Sequence, residues 1–268
     1  MKERVDIILV KKGFVESREK AQELIISGKV KVDGKVVLRP SEKVMPNADI
    51  EILENINYVS RGYLKIKFAF QRLEISVKDK VCADIGCSTG GFTQFLLESG
   101  AKKVFAVDIG MGVLHQKLRS DPRVVLYEGK DAKEIKEDFF PEKVDFAACD
   151  VSFTSSIPIL RALYFIPEIL LLCKPNFEVP RKYLKDGVLK DRNLIFLAVK
   201  KVILQVSDLF SVKGICPSFP PGTSGNMELF ILFSRTQNKQ EILFQDQEKI
   251  DQLIKNSIEE LSTMIEKF

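Results

Sequence analysis

The sequence predicts an α/β protein with a mostly parallel sheet, preceded by a small α+β module. Three observations carry that expectation. From Val81 onward, apolar strand-like runs alternate with amphipathic helical runs, the pattern of a parallel sheet covered on both faces. The first of these runs, Val81-Cys82-Ala83-Asp84-Ile85, leads into the turn Gly86-Cys87-Ser88-Thr89-Gly90-Gly91 and then an apolar-periodic stretch from Phe92 to Leu97. That is a strand, a tight loop and the start of a helix. Residues 1–54, by contrast, read as two short helices and a hairpin crowded with lysine and arginine.

With 268 residues, one or two domains are expected. A hydrophobic fraction of 45% and a charged fraction of 29% exclude a disordered or fibrous chain. The formal net charge of +4 is compatible with a nucleic-acid partner without requiring one. Five scattered cysteines, with no CxxC pair, point to reduced thiols in a cytoplasmic protein and not to zinc. The first residues, Met1-Lys2-Glu3-Arg4, are too charged for a secretory signal. The most apolar stretch, Val151 to Cys173, is broken by Pro158, Arg161, Pro167 and Glu168. A membrane helix needs ~20 predominantly apolar residues in a row, so a helix followed by a buried strand is expected here.

In chain order, Val5, Ile8 and Leu9 make a short amphipathic helix that Gly13 can end. Ser17 can cap a second helix, where Ala21, Leu24 and Ile25 recur at helical spacing until Gly28. Val30 to Val37 alternates around Asp33-Gly34, a hairpin signal. Asn55-Ile56-Asn57-Tyr58 then reads as a linker, which sets the expected divisions at 1–54, 55–59 and 60–268. After Ser60-Arg61-Gly62 comes a helix in which Leu64, Phe68 and Leu73 can face inward, leaving Lys65 elsewhere as a surface lysine.

The expected strands that follow are Val81–Ile85, Val104–Asp108, Val124–Tyr127, Val144–Asp150 and Ile169–Cys173, with helices over Gly91–Ser99, Gly112–Leu118 and Asn193–Val206. Two closing strands, Phe210–Cys216 and Met227–Ser234, are joined through Pro217, Pro220, Pro221, Gly222 and Gly225. That connection is too short and broken for a crossover helix, so the two should be antiparallel neighbours. Ile250, Leu253, Ile254, Ile258, Leu261 and Ile265 trace one face of a final helix.

Ligands of open α/β sheets bind beyond the carboxyl ends of the strands. Asp84, Asp108, Asp131, Asp150 and Lys174 all stand at or just after such ends. The glycines at 86, 90 and 91 do not match the dinucleotide fingerprint. An acid just ahead of the turn would repel a pyrophosphate but suits the cationic amino-acid end of S-adenosylmethionine. On this stretch alone, an ordinary strand-to-helix turn competes with that reading. Asp108 is placed to accept from ribose hydroxyls, and Asp131 to meet an adenine amino group or simply to cap the next helix. His115, the single histidine, lies in a helical run and is given no catalytic role.

Two resemblances sharpen this picture. Arg4-Val5-Asp6 with Leu9 and Gly13, then Ser17-Arg18 with Ala21, Leu24-Ile25, Gly28, Val30, Val32 and Gly34, resembles the S-four RNA-binding module, named for a ribosomal protein. Such modules set a basic helix pair against structured RNA, which makes Arg18 and Lys20 the foremost expected contacts, with Arg4 beside them. Tyr58-Val59-Ser60-Arg61-Gly62 with Lys65, the Asp84–Thr93 stretch, Ala106-Val107-Asp108-Ile109-Gly110, Cys149-Asp150-Val151-Ser152-Phe153, Lys174-Pro175-Asn176-Phe177-Glu178-Val179 and Ser224-Gly225-Asn226-Met227-Glu228 resemble the TlyA family. Its members are ribosomal RNA methyltransferases, often called haemolysins.

The resemblance implies a Rossmann-like class I methyltransferase sheet of seven strands, one of them antiparallel. It implies S-adenosyl-L-methionine as cofactor, held by Asp84, Gly86, Cys87, Ser88, Thr89, Gly90, Gly91, Phe92, Asp108 and Asp131. Related FtsJ-type 2′-O-methyltransferases use a Lys-Asp-Lys-Glu tetrad, which maps by motif onto Lys65, Asp150, Lys174 and Glu228. A ribose 2′-hydroxyl is a poor nucleophile that must lose its proton as it attacks the methyl group. A free lysine, with pKa ~10.4, is a poor base; a second lysine and partial burial favour its neutral form, while flanking carboxylates oppose that and orient the amines. Lys174 is the expected base.

Arg181, Lys182 and Lys185 lie in a basic loop after Lys174, expected to act as an RNA-gripping lid, with Arg61 as a further RNA contact. Ribosomal RNA or ribosomal subunits are the implied partners and cytidine 2′-hydroxyls the implied target, and a monomer is expected. A non-catalytic ribosome-assembly protein and a membrane-active haemolysin are the competing classes. The intact tetrad argues against the first, and the absence of an apolar span against the second.

Overall fold

The computed structural model describes residues 2–26, 29–37, 39–53, 58–222, 225–236 and 246–267. Most of the expected linker (residues 55–57), Gly28 and Ser224 fall outside the described residues. The chain divides into two compact units, one built from Met1–Arg61 and a larger one from Gly62–Ile265.

In the first unit, β1 (Glu3–Arg4) runs into α1 (Val5–Lys11), followed by α2 (Arg18–Ile26). The Ser17 hydroxyl accepts from the backbone N–H of Lys20 at 3.2 Å, the capping bond its position suggested. β2 (Val30–Val32) and β3 (Lys35–Val37) form the hairpin around Asp33-Gly34, whose φ angles of +51° and +75° are those of a type I′ turn. β4 (Lys43–Val44) pairs with β1, and β5 (Ile50–Ile52) completes a three-stranded sheet on the far side of β2. Val5, Ile8, Leu9, Ala21, Leu24 and Ile25 all bury against this sheet.

The larger unit opens with α3 (Gly62–Leu73). Its buried face is Lys65, Ile66, Ala69 and Phe70; Leu64, Phe68 and Leu73 are only half-buried. The expected inward face is thus rotated, and Lys65 is not a surface lysine. Phe70 decides the orientation, packing edge-on to Phe95 and Phe146 at 4.8 and 5.7 Å.

Next come β6 (Val81–Ile85), α4 (Gly91–Glu98), β7 (Lys103–Asp108), α5 (Gln116–Arg119), β8 (Val124–Glu128), β9 (Phe146–Cys149), α6 (Ile157–Ala162), β10 (Glu168–Cys173), α7 (Arg192–Gln205), β11 (Phe210–Pro217), β12 (Leu229–Arg235) and α8 (Gln247–Lys267). The strands form one seven-stranded sheet in the order β11-β12-β10-β9-β6-β7-β8. β9, β6, β7, β8 and β10 are parallel, while β12 runs antiparallel to both β10 and β11. The α/β class, the seven strands and the single reversed strand near one edge match the sequence expectation.

The helix expected over Gly112–Leu118 contracts to the four residues of α5. Gly112 takes φ +71° and its N–H donates to the Glu128 carboxylate at 2.6 Å, so the chain loops before the helix begins. Among the described residues, no helix is long and apolar enough to cross a membrane.

Candidate active site

The sheet order turns back between β6 and β9, since the chain moves to β7 and β8 on one side and to β10 on the other. A crevice forms at the carboxyl ends of strands at such a reversal. β12 runs the other way, so its amino end lies there too, and Glu228 immediately precedes it. The last registered pair of β10 and β12 is Cys173 with Leu229, which sets Lys174 and Glu228 opposite each other just beyond the ladder.

Four charged side chains meet at this end of the sheet as two ion pairs. Lys65 Nζ donates to Glu228 Oε2 at 2.6 Å, and both groups are buried. Lys174 Nζ lies 2.6 Å from Asp150 Oδ1, outside hydrogen-bond angles, and donates to Ser152 Oγ at 2.7 Å. Each lysine is therefore held by a different carboxylate, brought in from a different strand end. Glycine makes room for one of them: a Cβ on Gly222 would lie 2.8 Å from Glu228 Oε1.

The glycine loop after β6 packs against the same place. Gly86 has φ +84°, and a Cβ there would meet the Asp150 backbone oxygen at 2.4 Å. Gly90, at φ +99°, would strike Leu118 and Leu114 at 2.3 and 2.7 Å. No other residue fits either position.

Asp84 beneath the loop is wholly buried. Its Oδ2 accepts from Thr93 Oγ1 at 2.6 Å, while Oδ1 finds no partner among the described residues. Burial pushes its pKa up to about 7; the Thr93 hydrogen bond opposes this, and the negative charges of Asp150 and Asp108 add to it. Asp108 accepts on both oxygens, Oδ2 from the Ser88 N–H at 2.8 Å and Oδ1 from the Gly110 N–H at 2.7 Å, and each oxygen keeps capacity for a second donor. It ties the loops after β6 and β7 together.

A cavity of about 580 Å³ opens here, lined by Gly86, Ser88, Asp108, Asp131 and Asp150 among others. Small-molecule sites span ~300–1,000 Å³. Of the residues expected to hold a cofactor, Gly86, Ser88, Asp108 and Asp131 line this cavity. Asp84, Cys87, Gly90, Gly91 and Phe92 are buried and shape the loop and its helix, and Thr89 is exposed. Asp131 also caps the turn after β8, its Oδ1 accepting from the Lys133 N–H at 3.0 Å. His115 is exposed and caps α5, Nδ1 accepting from the Lys117 N–H at 3.2 Å.

Glu178, part of the motif after Lys174 but assigned no role from sequence, organises the rim. Its Oε1 accepts from the N–H and hydroxyl of Ser156, each at 2.7 Å, and its Oε2 from the Ser155 hydroxyl at 2.7 Å. It thereby fastens the segment after Asp150 to the segment after Lys174. A lone acid among Phe177, Val179 and Pro180 was the one signal available for it.

The residues expected to meet RNA are dispersed. Arg181, Lys182 and Lys185 are exposed on the loop after Lys174. Arg61 is half-buried at the end of the first unit. Arg4 and Arg18 converge on Asp6: Arg4 donates from Nε and Nη2 at 3.0 and 2.9 Å, Arg18 from Nε at 2.9 Å, with Gln22 at 3.0 Å. Both arginines are thus part of the framework of the first unit, a role the sequence reading missed. Lys20 pairs with Glu23 at 3.0 Å on the surface of α2.

Known protein families match both parts of the chain. Residues 58–235 match the FtsJ-like methyltransferase family, and residues 3–50 match the S4 domain. Hemolysin A of Brachyspira hyodysenteriae is 38% identical over 238 residues, spanning 86% of this chain and 99% of that protein. The 16S/23S rRNA (cytidine-2′-O)-methyltransferase TlyA of Mycobacterium tuberculosis is 38% identical over 242 residues, spanning 87% of this chain and 90% of that one. A solved structure titled "Putative hemolysin from Streptococcus thermophilus" superposes with a TM-score of 0.74 at 33% identity, covering 100% of this chain and 99% of its own. The chain belongs to the FtsJ-like methyltransferases, as a member of the TlyA family in which an S4 domain stands ahead of the methyltransferase domain.

Proposed function

We propose that this chain methylates the 2′-hydroxyl of a ribose in ribosomal RNA, with S-adenosylmethionine as donor and Lys174 as general base. The observation that carries the reading is the double ion pair, Lys65–Glu228 and Lys174–Asp150, of which Asp150, together with Ser152 beside Lys174, also lines the cavity. The relative from Mycobacterium tuberculosis, by name a cytidine-2′-O-methyltransferase of 16S and 23S rRNA, supports both the RNA class and cytidine as the target. The S4 domain match supports RNA as partner, and a cytoplasmic site of action follows from such a substrate.

The residues present suit the donor. Asp84 Oδ1 is a buried acceptor with unused capacity, and Gly86 and Gly90 keep the loop free of side chains. Ser88, Asp108 and Asp131 would supply polar contacts to the sugar and base of the cofactor. S-adenosylmethionine, when bound, brings an electrophilic methyl group on a positively charged sulfur. Lys174 would take the proton from the 2′-oxygen as that oxygen accepts the methyl group, the sulfur leaving as the neutral thioether of S-adenosylhomocysteine. Asp150 and Ser152 hold the Lys174 amine in place, and the Lys65–Glu228 pair lies across the ladder to orient the hydroxyl.

Radiolabelled methyl transfer to ribosomal subunits from cells lacking the gene tests the reading. Removing a positioned base costs ~10²–10⁴-fold in rate, so Lys174→Ala should lose turnover by that factor while binding S-adenosylhomocysteine normally. Near-normal turnover by this variant would remove Lys174 from the mechanism. Mapping the 2′-O-methylated positions in the product identifies the nucleotide.

A further inference from the structure

We propose that Asn226 is a positioning residue that pins the basic loop after Lys174 to the strand segment carrying Glu228, and so sets the grip on RNA beside the reacting groups. This rests on the reading of that loop as an RNA contact.

The loop is built to present charge from a fixed base. Lys185 and Val188 exchange backbone hydrogen bonds at 3.0 and 2.9 Å around Asp186 and Gly187, whose φ angles are +52° and +78°. The result is a tight two-residue turn flanked by exposed Lys185, with exposed Arg181 and Lys182 on the single helical turn Arg181–Tyr183 just ahead of it. Leu189, the next residue but one, is buried in the main core.

One buried side chain fastens that turn. Asn226 Oδ1 accepts from the Leu189 N–H at 3.0 Å, and its Nδ2 donates to the Gly187 carbonyl at 3.1 Å. Only a carboxamide offers a donor and an acceptor at this reach, so a mimic must keep both. The segment bearing Asn226 is itself braced. Gly222 N–H donates to the Asn226 carbonyl at 3.3 Å, and Ser218 N–H to the Glu228 carbonyl at 2.9 Å. Two residues beyond Asn226, Glu228 receives the Lys65 ammonium. A single amide thus joins the tip of the basic loop to the strand end at which the second ion pair forms. None of the loop's charges touches Asn226, so its effect on RNA must act through loop geometry.

The test compares Asn226→Ala, Asn226→Asp and a loop variant carrying Arg181→Ala, Lys182→Ala and Lys185→Ala, on ribosomal subunits from cells lacking the gene. Losing two buried hydrogen bonds is worth about a tenfold change in the occupancy of the ordered loop. Asn226→Ala should raise KM for the subunits about tenfold with kcat held within twofold, leave S-adenosylhomocysteine affinity unchanged, and speed tryptic cleavage within residues 181–192. Asn226→Asp, which keeps the acceptor but sets a carboxylate oxygen against the Gly187 carbonyl, should raise KM at least as much, and it carries the test if the alanine variant does not fold. Adding Asn226→Ala to the loop variant should cost less than a further twofold, because both act on one contact.

Unchanged tryptic cleavage overturns the proposal, as does a full tenfold penalty on top of the loop variant. A normal KM in Asn226→Ala also overturns it. If the loop variant then has a normal KM too, the RNA-gripping loop has failed; if that variant has a raised KM, only the role of Asn226 has failed.

Discussion

Asp6 in the first unit and Asp84 in the second have no solvent-accessible surface, yet their surroundings treat the charge in opposite ways. Burial alone would raise Asp6, but hydrogen bonds from Arg4, Gln22 and Arg18 outweigh it and hold its pKa at about 2. Asp84 draws only on Thr93, through its hydroxyl and its backbone N–H, and burial takes it to about 7. Asp6 has spent its hydrogen-bonding capacity on the fold. Asp84 keeps an oxygen in reserve. Buried ionisable groups held off their ordinary pKa without a full set of partners concentrate at functional sites, and of these two carboxylates only Asp84 stands beneath the loop whose Gly86 and Ser88 line the cavity.

The largest expected effect tests the structural half of this contrast. Asp6→Ala removes four hydrogen bonds from charged or amide donors and should cost the first unit about 3 kcal/mol, read as earlier melting of that unit with S-adenosylhomocysteine affinity unchanged. A loss of cofactor affinity would join two sites that are here assigned separate work.

Asp84→Asn should do the reverse. Because its folded pKa of about 7 lies above the usual value of 3.8, ionisation of the unfolded chain erodes stability as pH rises from about 4 to 7. A shift of that size corresponds to up to about 4 kcal/mol. Asp84→Asn should therefore melt about 1–3 kcal/mol more stable at pH 8, show no gain at pH 4, and bind S-adenosylhomocysteine at least about tenfold more weakly. Asp6 gives the opposite pH signature: its folded pKa is depressed, so its contribution is present above pH 4 and is lost as pH falls toward 2. If Asp84→Asn is destabilised at both pH values, Asp84 is a second Asp6 and its reserve oxygen carries no functional meaning.

The same division explains what could be seen in the sequence. Strand-end acids, the loop glycines and the alternation of elements are local signals, and the sheet and most of the site were legible from them. The antiparallel β11–β12 pair was legible too, because a connection broken by Pro220, Pro221 and Gly222 leaves no room for a helix. What stayed hidden depended on partners distant in the chain. Taken on its helix alone, Lys65 looked like a surface lysine, and only the family resemblance marked it, because its acid, Glu228, lies 163 residues away. Asp6 stood in a motif without a role because two of its partners, Arg18 and Gln22, reach it from the next helix. Asn226 stood in a motif without a role because its two partners lie across a loop, 37 and 39 residues back. Hydrophobic period alone misplaced the buried face of α3, where the packing of Phe70 against Phe95 and Phe146 decides the rotation.

The smallest effect separates framework from contact within the first unit, where sequence alone ranked Arg18 and Lys20 together. Lys20 is half-exposed and pairs only with Glu23 along one helix face, an interaction worth about 0.3–0.5 kcal/mol. Lys20→Ala should therefore leave melting almost unchanged. If Lys20 meets a phosphate, affinity for ribosomal RNA falls modestly and the slope of log affinity against log salt drops by about one. Arg18→Ala removes a donor from buried Asp6, so it should lower both melting temperature and RNA affinity. Arg18→Lys restores charge but not the geometry of the guanidinium, and should recover RNA affinity less well than its charge alone would predict. Equal melting temperatures for the Lys20 and Arg18 variants would mean that the Asp6 cluster contributes little to the fold, and the contrast with Asp84 would lose its structural side.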